Sequence, residues 1–314
     1  MDTERTASAT TVNPPSDINF DINDPDGWYR YVADSLVMTG LARRSGEAYA
    51  REVRILVKRF EQPPFMLTEA DVRGFILERH EKLNGSSQRI LYRGLRFLYN
   101  DILKCDWELL KGVSAKYEAV EPTILSRAEV ARLLAAVAHL PHLYAYLRTV
   151  YTCGLRLSEA LNIRTGDIDR EGGLLHVRKG KGAKDRKVVL PRHTLTMLEH
   201  YWLLHRNERW LFPALGRDGK GGPTADSPMS ISAVQGGLRR YLKPAGITKS
   251  RVTIHTLRHS YATHLLEEGI PLTVLQQQLG HEKIETTLRY VHLSKPAQVD
   301  SARIIDRMMG RIGA

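Results

Sequence analysis

Apolar residues recur at helical spacing through most of this 314-residue chain, and only one stretch shows the pattern of paired β-strands. Trp28, Val32 and Leu36 begin the helical series, which continues with few interruptions toward the C-terminus. The exception is residues 174–177 and 187–190, two short runs rich in Leu and Val on either side of a Gly- and Lys-rich turn. The pattern predicts a mainly α fold with a small antiparallel sheet.

A soluble chain of this length is long for one domain, so we expect two. Residues 1–24 are rich in Thr, Ser, Asp, Asn and Pro without periodicity, which is typical of a disordered arm. Residues 25–110 carry four amphipathic helical stripes with short connections, and these predict a helical bundle. Residues 111–123 have weak periodicity and a proline, as in a linker. Residues 124–314 then form a second domain.

The second domain should be helical on both sides of the β-hairpin. A capping box at Ser126 and Glu129 predicts the start of its first helix. Residues 213–229, rich in Gly, Pro, Asp and Ser, should form a surface loop. The remaining predicted helices cover about 142–153, 157–163, 194–206, 231–243, 256–267, 272–279, 284–291 and 297–309.

The formal charge of +11 and the isoelectric point near 9.6 favour a polyanionic partner. Residues 1–120 hold 17 Lys and Arg against 18 Asp and Glu, whereas residues 121–314 hold 29 against 17. A basic surface kept for solubility is the alternative. No run is apolar enough to span a membrane and no signal peptide opens the chain, so we expect a cytoplasmic protein with Cys105 and Cys153 as free thiols. No Cys/His spacing typical of structural zinc is present.

Arginines accompany the apolar stripes of the second and fourth helices of the first domain. Arginine at helical spacing can contact successive phosphates along a DNA groove, although a solvated helix face is the commoner reason for such a pattern. The candidate DNA-binding residues in this domain are Arg43, Arg44, Arg51 and Arg93.

The side chains best suited to catalysis lie between positions 255 and 290. Cleaving a phosphodiester needs a nucleophile, charge stabilisation and a proton for the leaving oxygen. This segment offers cations rather than clustered carboxylates: His255 and Arg258 lie three apart at a helix start, and His281 follows Gly280. The Tyr290 phenol, with an ordinary pKa near 10, needs nearby positive charge or a base to attack. The alternative, a metal site at two histidines four apart, lacks the Glu of a His-Glu-x-x-His motif.

Three strings, in order along the chain, resemble the tyrosine recombinase (phage integrase) family. The first is CGLRLSEALNIRTGDID, which begins at Cys153, and the second is VRKGKGAKDR, which begins at Val177. The third runs from His255 and reads HTLRHSYATHLLEEGI, followed by LQQQLGHEKIETTLRYVH. Residues 124–295 carry the resemblance best. Residues 42–54 and 86–103 more loosely resemble the family's helical core-binding domain.

The resemblance implies a role for each matching residue. Arg156 and Arg258 would bind the scissile phosphate, and His255 and His281 would hydrogen-bond it and assist proton movement. Tyr290 would attack to give a 3′-phosphotyrosyl link. The residue that protonates the 5′-hydroxyl would be Lys181, with Lys184 in the same turn as the alternative. Glu159 would support the site, and Lys184 and Arg186 are further candidate DNA contacts.

The resemblance also implies a C-shaped clamp on double-stranded DNA with specific recombination sites, working without cofactor or metal. The stripe Ile304, Ile305, Met308, Met309 and Ile312 would lie on a final helix that docks on a neighbouring protomer in a tetramer, or packs on its own domain. An accessory DNA-binding protein would fit such an assembly. Tyr261 stands where the family often has Phe, and its helical spacing with Leu257 and Leu265 predicts a core position.

Three other functions remain compatible with parts of the pattern. A type IB topoisomerase-like enzyme would form the same covalent link but relax supercoils without a specific site. A DNA-binding regulator of the same fold would have lost residues of the Arg, Lys, His and Tyr set. A metal-dependent nuclease would need a divalent cation.

Overall fold

The computed structural model describes residues 14–115, 121–178, 185–216 and 219–291. The chain divides into two compact units, Met1–Val120 and Glu121–Ala314, and the division falls within the segment predicted as a linker. The mainly helical architecture with one small antiparallel sheet is confirmed. Within the described ranges, no helix has both the length and the apolar content that crossing a bilayer demands.

The first unit is built from helices that follow its apolar stripes. Asp24 caps the first of them by accepting from the backbone N–H of Asp26, and Thr68 with Asp71 forms a capping box at the start of the third. Within residues 14–115 the α-helices are α1 (Pro25–Met38), α2 (Arg43–Phe60), α3 (Glu69–Lys82), α4 (Gly85–Arg96) and α5 (Glu108–Gly112).

The core of the first unit forms around Trp28, Leu56 and Leu95, which are fully buried. Phe20 meets the Trp28 ring edge-on at 5.6 Å, so the described end of the segment predicted as an arm packs against α1. The α4 helix continues as a π-helical segment, Phe97–Ile102. The α5 helix was not predicted. Arg96 donates to the carbonyl oxygens of Leu110 and Val113 and holds this segment in place.

The helices of the second unit lie near their predicted positions. The capping box at Ser126 and Glu129 is confirmed. The described helices are α6 (Arg127–Ala136), α7 (Pro141–Cys153), α8 (Leu157–Leu161), α9 (Arg192–His205), α10 (Ile231–Leu242), α11 (Ile254–Glu267), α12 (Leu272–Leu279) and α13 (Glu285–Leu288). The helix predicted at 297–309 lies outside the described residues.

The sheet contains the predicted hairpin and one further strand. Strands β2 (Leu174–Val177) and β3 (Arg186–Val189) are antiparallel, and Leu175 faces Val188 across the pair. The additional strand β1 (Ile168–Asp169) is antiparallel to β2. Sequence analysis missed β1 because two residues are too few to show an alternating pattern.

The packing of the second unit brings four helix ends together. Its main core contains the buried Tyr146, Phe212 and Leu257, and a smaller cluster of Ala262, Leu275, Leu279 and Tyr290 lies beside α11. Within the second unit, α7 and α12 end near the starts of α8 and α11. Helix ends expose unpaired carbonyl oxygens and N–H groups, so this convergence provides polar backbone partners in a largely buried place.

Candidate active site

The ends of α7 and α12 supply backbone carbonyls to three arginines, Arg156, Arg186 and Arg258. Gly154, with φ of 60°, ends α7, and Gly280, with φ of 62°, ends α12. A Cβ at Gly154 would lie 2.4 Å from the Tyr261 ring, so a side chain there is excluded by space as well as by conformation. Because the C-terminal end of a helix carries partial negative charge, these carbonyls attract guanidinium groups.

Arg258 is held by those carbonyls at the bottom of the cluster. Its side chain is almost fully buried; Nη1 donates to the Gly154 oxygen at 2.6 Å, and Nη2 donates to the Leu279 oxygen at 2.7 Å. Burial, together with the charge of Arg156, lowers its pKa to about 10, and it therefore remains charged at neutral pH. Its full positive charge is thus held in place by backbone dipoles.

Glu159 connects three arginines. It lies on α8 and accepts from the Arg156 backbone N–H at 2.8 Å and from Arg156 Nη1 at 2.6 Å. Arg186, on β3, donates Nη1 and Nη2 to its two carboxylate oxygens, both at 2.9 Å, and Arg258 Nη1 lies 3.7 Å away. Although burial acts to raise it, the pKa of Glu159 falls to about 2 because of the hydrogen bond and charge of Arg186 and the contacts of Arg156. Three guanidinium groups surrounding one carboxylate leave an excess of positive charge, as in an anion-binding site.

Arg186, a candidate DNA contact in the sequence, lies within the cluster. Its side chain is only 12% exposed and is taken up by Glu159 and by the Gln278 carbonyl oxygen at 3.1 Å. The guanidinium therefore positions Glu159, and through it Arg156. No sequence signal indicated this, because the pairing joins β3 to α8 across 27 residues.

His281 follows α12 and bridges Arg258 to α13. Arg258 Nη2 lies 3.0 Å from His281 Nε2, and His281 Nδ1 lies 2.9 Å from Thr287 Oγ1. Since a guanidinium only donates, Nε2 must accept and the ring proton lies on Nδ1. Burial and the charges of Arg258, Arg156 and Arg186 lower the pKa of His281 to about 3, so its imidazole is neutral.

Tyr290 is buried beside these groups. It is 2% exposed, its ring is stacked on the His281 ring at 6.2 Å, and its hydroxyl lies 2.8 Å from His259 Nδ1. Burial raises the pKa of the phenol, whereas the charges of Arg258, Arg289 and Arg156 act to lower it. The hydroxyl therefore keeps its proton in this state, in a place where positive charge favours the phenolate.

His259 is the site neighbour that sequence reasoning did not place. Its spacing of four from His255 indicates only the alternative metal pair, whereas in the structure it contacts the tyrosine 31 residues further along the chain. Burial and the charges of His255, Arg258 and Arg289 lower its pKa to about 4. No group of three or more potential metal ligands occurs among the residues the structure describes.

The other predicted site residues lie at different distances from this cluster. His255, at the start of α11, is exposed to solvent, and partial desolvation of its imidazole, together with the charges of Arg258 and Arg156, lowers its pKa. Tyr261 packs against Gly154, in line with its predicted core position. Lys181 and Lys184 lie outside the described residues.

The candidate DNA-binding arginines of the first unit are exposed on α2 and α4. Arg43 has an exposed ion pair with Asp34 at 3.7 Å, and Arg93 Nη1 donates to the Tyr49 hydroxyl at 3.0 Å. Arg44 and Arg51 are exposed on α2. A shallow depression beside Arg93 is lined by Tyr49, Ser86, Arg89 and Ile90.

The buried histidines predict that the second unit loses stability in acid. The folded pKa values of about 4 for His259 and about 3 for His281 lie below their ordinary value of 6.5, so as the pH falls below 6.5 the unfolded chain binds protons that the folded chain does not. The free energy of unfolding should therefore fall through this window, with Glu159 adding a loss between 4.5 and about 2. We expect His259→Asn to remove about 2 kcal/mol of the acid loss after solvent screening of a partly exposed ring is allowed for.

The measurement is chemical denaturation at a series of pH values from neutral to acid. The exposed His193, at the start of α9, offers a matched control, because His193→Asn should keep the wild-type slope. A wild-type slope for His259→Asn would show that the imidazole of His259 is not held neutral by the fold.

Comparison with known proteins matches both units of the chain. Residues 123–296 match the profile described as "Phage integrase family", and residues 28–109 match "Phage integrase, N-terminal SAM-like domain". A protein of Sinorhizobium fredii whose name describes it as an integrase/recombinase is 34% identical over 281 residues, covering 84% of this chain and 88% of the relative. The tyrosine recombinase XerA of Thermococcus kodakarensis is 35% identical over 244 residues, covering 74% and 81%.

Solved structures share the fold at lower identity. The XerH site-specific recombinase in its pre-cleavage complex with difH substrate superposes with a TM-score of 0.65 at 20% identity, covering 95% of this chain and 92% of that one. A lambda integrase tetramer bound to a Holliday junction gives 0.68 at 16% identity, covering 84% and 76%. The matched profiles and the extent of the identity over both units show that this chain belongs to the phage integrase family, the tyrosine recombinases.

Proposed function

We propose that this protein is a site-specific DNA recombinase that cuts and rejoins strands through a 3′-phosphotyrosyl link at Tyr290. The observation that carries the proposal is the buried Tyr290 hydroxyl beside a cluster in which three arginines surround one carboxylate. Such a cluster has the charge to bind a phosphodiester and to stabilise the negative charge that develops on its oxygens during attack. The names of the relatives support the same activity.

In the proposed reaction, Arg156 and Arg258 bind the non-bridging oxygens of the scissile phosphate. The Tyr290 oxygen forms a bond to phosphorus as the bond to the 5′ oxygen breaks, and Lys181 supplies the proton that makes the leaving group a 5′-hydroxyl. His255 and His281 hydrogen-bond the phosphate. Because the phosphotyrosyl bond replaces the phosphodiester bond, a 5′-hydroxyl from another strand can reseal the DNA without ATP.

Both units would contact double-stranded DNA. Residues 25–110 would form the core-binding domain, in which Arg43, Arg44, Arg51 and Arg93 contact phosphates, and residues 124–314 would form the catalytic domain. We further propose a tetramer on DNA, linked by a C-terminal helix near 297–309, and an accessory DNA-binding protein as a regulator. The lambda integrase tetramer on a Holliday junction supports the tetrameric assembly by its shared fold.

The test is covalent trapping on nicked duplexes tiled across the DNA that flanks the gene. A nick next to the cleavage position lets the short 5′-hydroxyl fragment diffuse away, so resealing stops and the covalent complex accumulates. We expect a protein–DNA adduct that survives SDS and forms in EDTA, with the DNA attached to the peptide that contains Tyr290.

Other outcomes would identify other functions. Cleavage that EDTA abolishes would indicate a metal-dependent nuclease. Adducts at every tile together with relaxation of supercoiled plasmid would indicate a type IB topoisomerase-like enzyme. Tight binding to one tile without cleavage would indicate a regulator that retains the fold alone.

A further inference from the structure

The hydrogen bond between Tyr290 and His259 joins the proposed nucleophile to a neutral imidazole. The Oη–Nδ1 distance is 2.8 Å and the two rings lie 5.6 Å apart. The pKa of the phenol is raised and that of the imidazole is lowered to about 4, so the hydroxyl donates and Nδ1 accepts. His259 therefore presents a lone pair directly to the proton that must leave before Tyr290 can attack.

The same kind of contact occurs elsewhere in the chain, so geometry alone does not assign a reaction to it. His80 Nδ1 lies 2.7 Å from the Tyr92 hydroxyl, and His264 Nδ1 lies 2.9 Å from the Tyr151 hydroxyl. Burial raises the pKa of both Tyr92 and Tyr151, and at Tyr151 the charges of Arg127 and Glu267 act in opposite directions.

The charges around Tyr290 are what distinguish its pair. Arg258, Arg289 and Arg156 all act to lower the pKa of this phenol against the effect of burial. A phenolate formed at Tyr290 would thus be stabilised by three cations, whereas one at Tyr92 or Tyr151 would not. Among the three tyrosines bonded to a histidine Nδ1 in the described ranges, Tyr290 has the environment suited to losing its proton.

In their observed positions, neither His255 nor His281 can accept the hydroxyl proton of Tyr290. Both ring nitrogens of His281 are engaged, one accepting from Arg258 and the other donating to Thr287. His255 has no hydrogen bond within the part of the chain that the structure describes, and the hydroxyl of Tyr290 is bonded to His259. The geometry therefore selects His259.

We propose that His259 is the proton acceptor for Tyr290 in the cleavage step, an inference that rests on the proposed recombinase function. As the Tyr290 oxygen bonds to phosphorus, its O–H bond breaks and an N–H bond forms at His259 Nδ1, giving an imidazolium. The bond from phosphorus to the 5′ oxygen breaks, and that oxygen takes its proton from the general acid. When a 5′-hydroxyl attacks the phosphotyrosyl bond, the tyrosine oxygen leaves and His259 returns the proton.

The bound phosphate would prepare His259 for this role. In the DNA-free protein, burial and the positive charges of Arg258 and Arg289 disfavour an imidazolium at His259, and His281 on the other side of Tyr290 is neutral. A phosphodiester anion held by Arg258 would offset those charges and raise the basicity of the imidazole. The proton would therefore stay on Tyr290 until DNA is bound.

The experiment compares wild type with His259→Asn under single-turnover conditions, on the nicked duplex that gives the wild-type adduct. The Asn amide oxygen can still accept a hydrogen bond near the position of Nδ1, but it cannot take up a proton. We expect adduct formation to slow by about 10²-fold, the usual range for loss of a general base, with unchanged DNA affinity. The defect should shrink as the pH rises, because the phenolate then forms without a base.

A second substrate distinguishes loss of the base that deprotonates Tyr290 from loss of the acid that protonates the leaving 5′ oxygen. When the bridging 5′ oxygen is replaced by sulfur, the leaving thiolate needs no proton. On this substrate, the rate of adduct formation by Lys181→Ala should recover, whereas the rate for His259→Asn should remain low. The matched control is His264→Asn on the same helix, which removes a histidine–tyrosine contact outside the site and should keep the wild-type rate.

The outcomes separate the inference from the function on which it rests. A wild-type protein that forms no adduct overturns both. A wild-type adduct that His259→Asn forms equally fast overturns the inference alone, as does a defect of the same size at every pH, which would show positioning without proton transfer. If the Asn variant fails to fold, as judged by its unfolding transition, His259→Gln takes its place under the same criteria.

Discussion

Replacing Tyr290 with Phe is expected to abolish the covalent protein–DNA adduct. The change removes the only atom that would bond to phosphorus, so adduct formation should fall by at least about 10⁴-fold, to the limit of detection. The ring should remain in place, because Tyr290 packs with Ala262, Leu275 and Leu279 and is stacked on the His281 ring. Loss of the hydrogen bond to His259 should cost about 1 kcal/mol of stability. The measurement is SDS-resistant adduct on the nicked duplex, beside DNA affinity from a mobility shift.

Tyr261→Phe provides the matched control for this change. Tyr261 lies on α11 in the same small cluster, and burial raises the pKa of its phenol to about 12. Its ring packs on Gly154, the residue whose carbonyl oxygen holds Arg258, so the ring matters for the site while its hydroxyl has no proposed role. We expect Tyr261→Phe to keep the wild-type adduct rate. If Tyr290→Phe formed the adduct and Tyr261→Phe did not, the nucleophile would be Tyr261 on α11.

The helices could be predicted because their signals are local. Apolar residues at helical spacing located α1 to α4, and a side chain that reaches back three residues located the start of α6. The elements that were missed are stabilised by distant contacts. Strand β1 exists through its pairing with β2, and α5 is held by Arg96 through carbonyls 14 and 17 residues away.

The site was predicted in part for a similar reason. Residue chemistry and family resemblance selected Arg156, Arg258, His281 and Tyr290, and the structure brings these four together in the second unit. His255 and Arg258 lie three residues apart on one helix, a spacing that favours a shared face, yet Arg258 is buried and His255 is exposed. The contact of His259 with Tyr290 and that of Arg186 with Glu159 join separate elements, and spacing along the chain cannot reveal such pairs.

The position of Glu159 among three arginines predicts a large loss of stability when its charge is removed. Glu159→Gln keeps the size of the side chain but removes the negative charge that neutralises Arg156, Arg186 and Arg258. The amide can also accept on only one of the two atoms that now accept hydrogen bonds. Leaving buried guanidinium groups without their partner should lower the free energy of unfolding by about 3–5 kcal/mol. Arg156 would lose its anchor, so adduct formation should also slow by about 10²-fold.

Hydrogen exchange measured on α8 and α11 reports the stability of the second unit directly. The matched control is Glu52→Gln in the first unit, where Glu52 Oε2 accepts from Arg79 Nη2 at 2.6 Å in a similarly shielded pair. This control should destabilise the first unit and leave the exchange of α8 and α11, and the adduct rate at saturating DNA, unchanged. If Glu159→Gln lowers the free energy of unfolding by less than about 1 kcal/mol, the ion pairs of Glu159 contribute no more than solvent-exposed ion pairs do. That result would contradict the prediction.

Inorganic phosphate tests the electrostatic explanation of that loss. If Glu159 stabilises the fold by offsetting the three guanidinium charges, a phosphate ion bound among them can supply part of the missing negative charge. Phosphate should therefore slow hydrogen exchange in α8 and α11 of Glu159→Gln more than it does in wild type, and increasing chloride should reduce that difference by screening. Equal protection of both proteins would show that shape or hydrogen-bond geometry, rather than charge, is what Glu159 contributes. The same ions would then compete with DNA for the arginines that are proposed to bind its scissile phosphate.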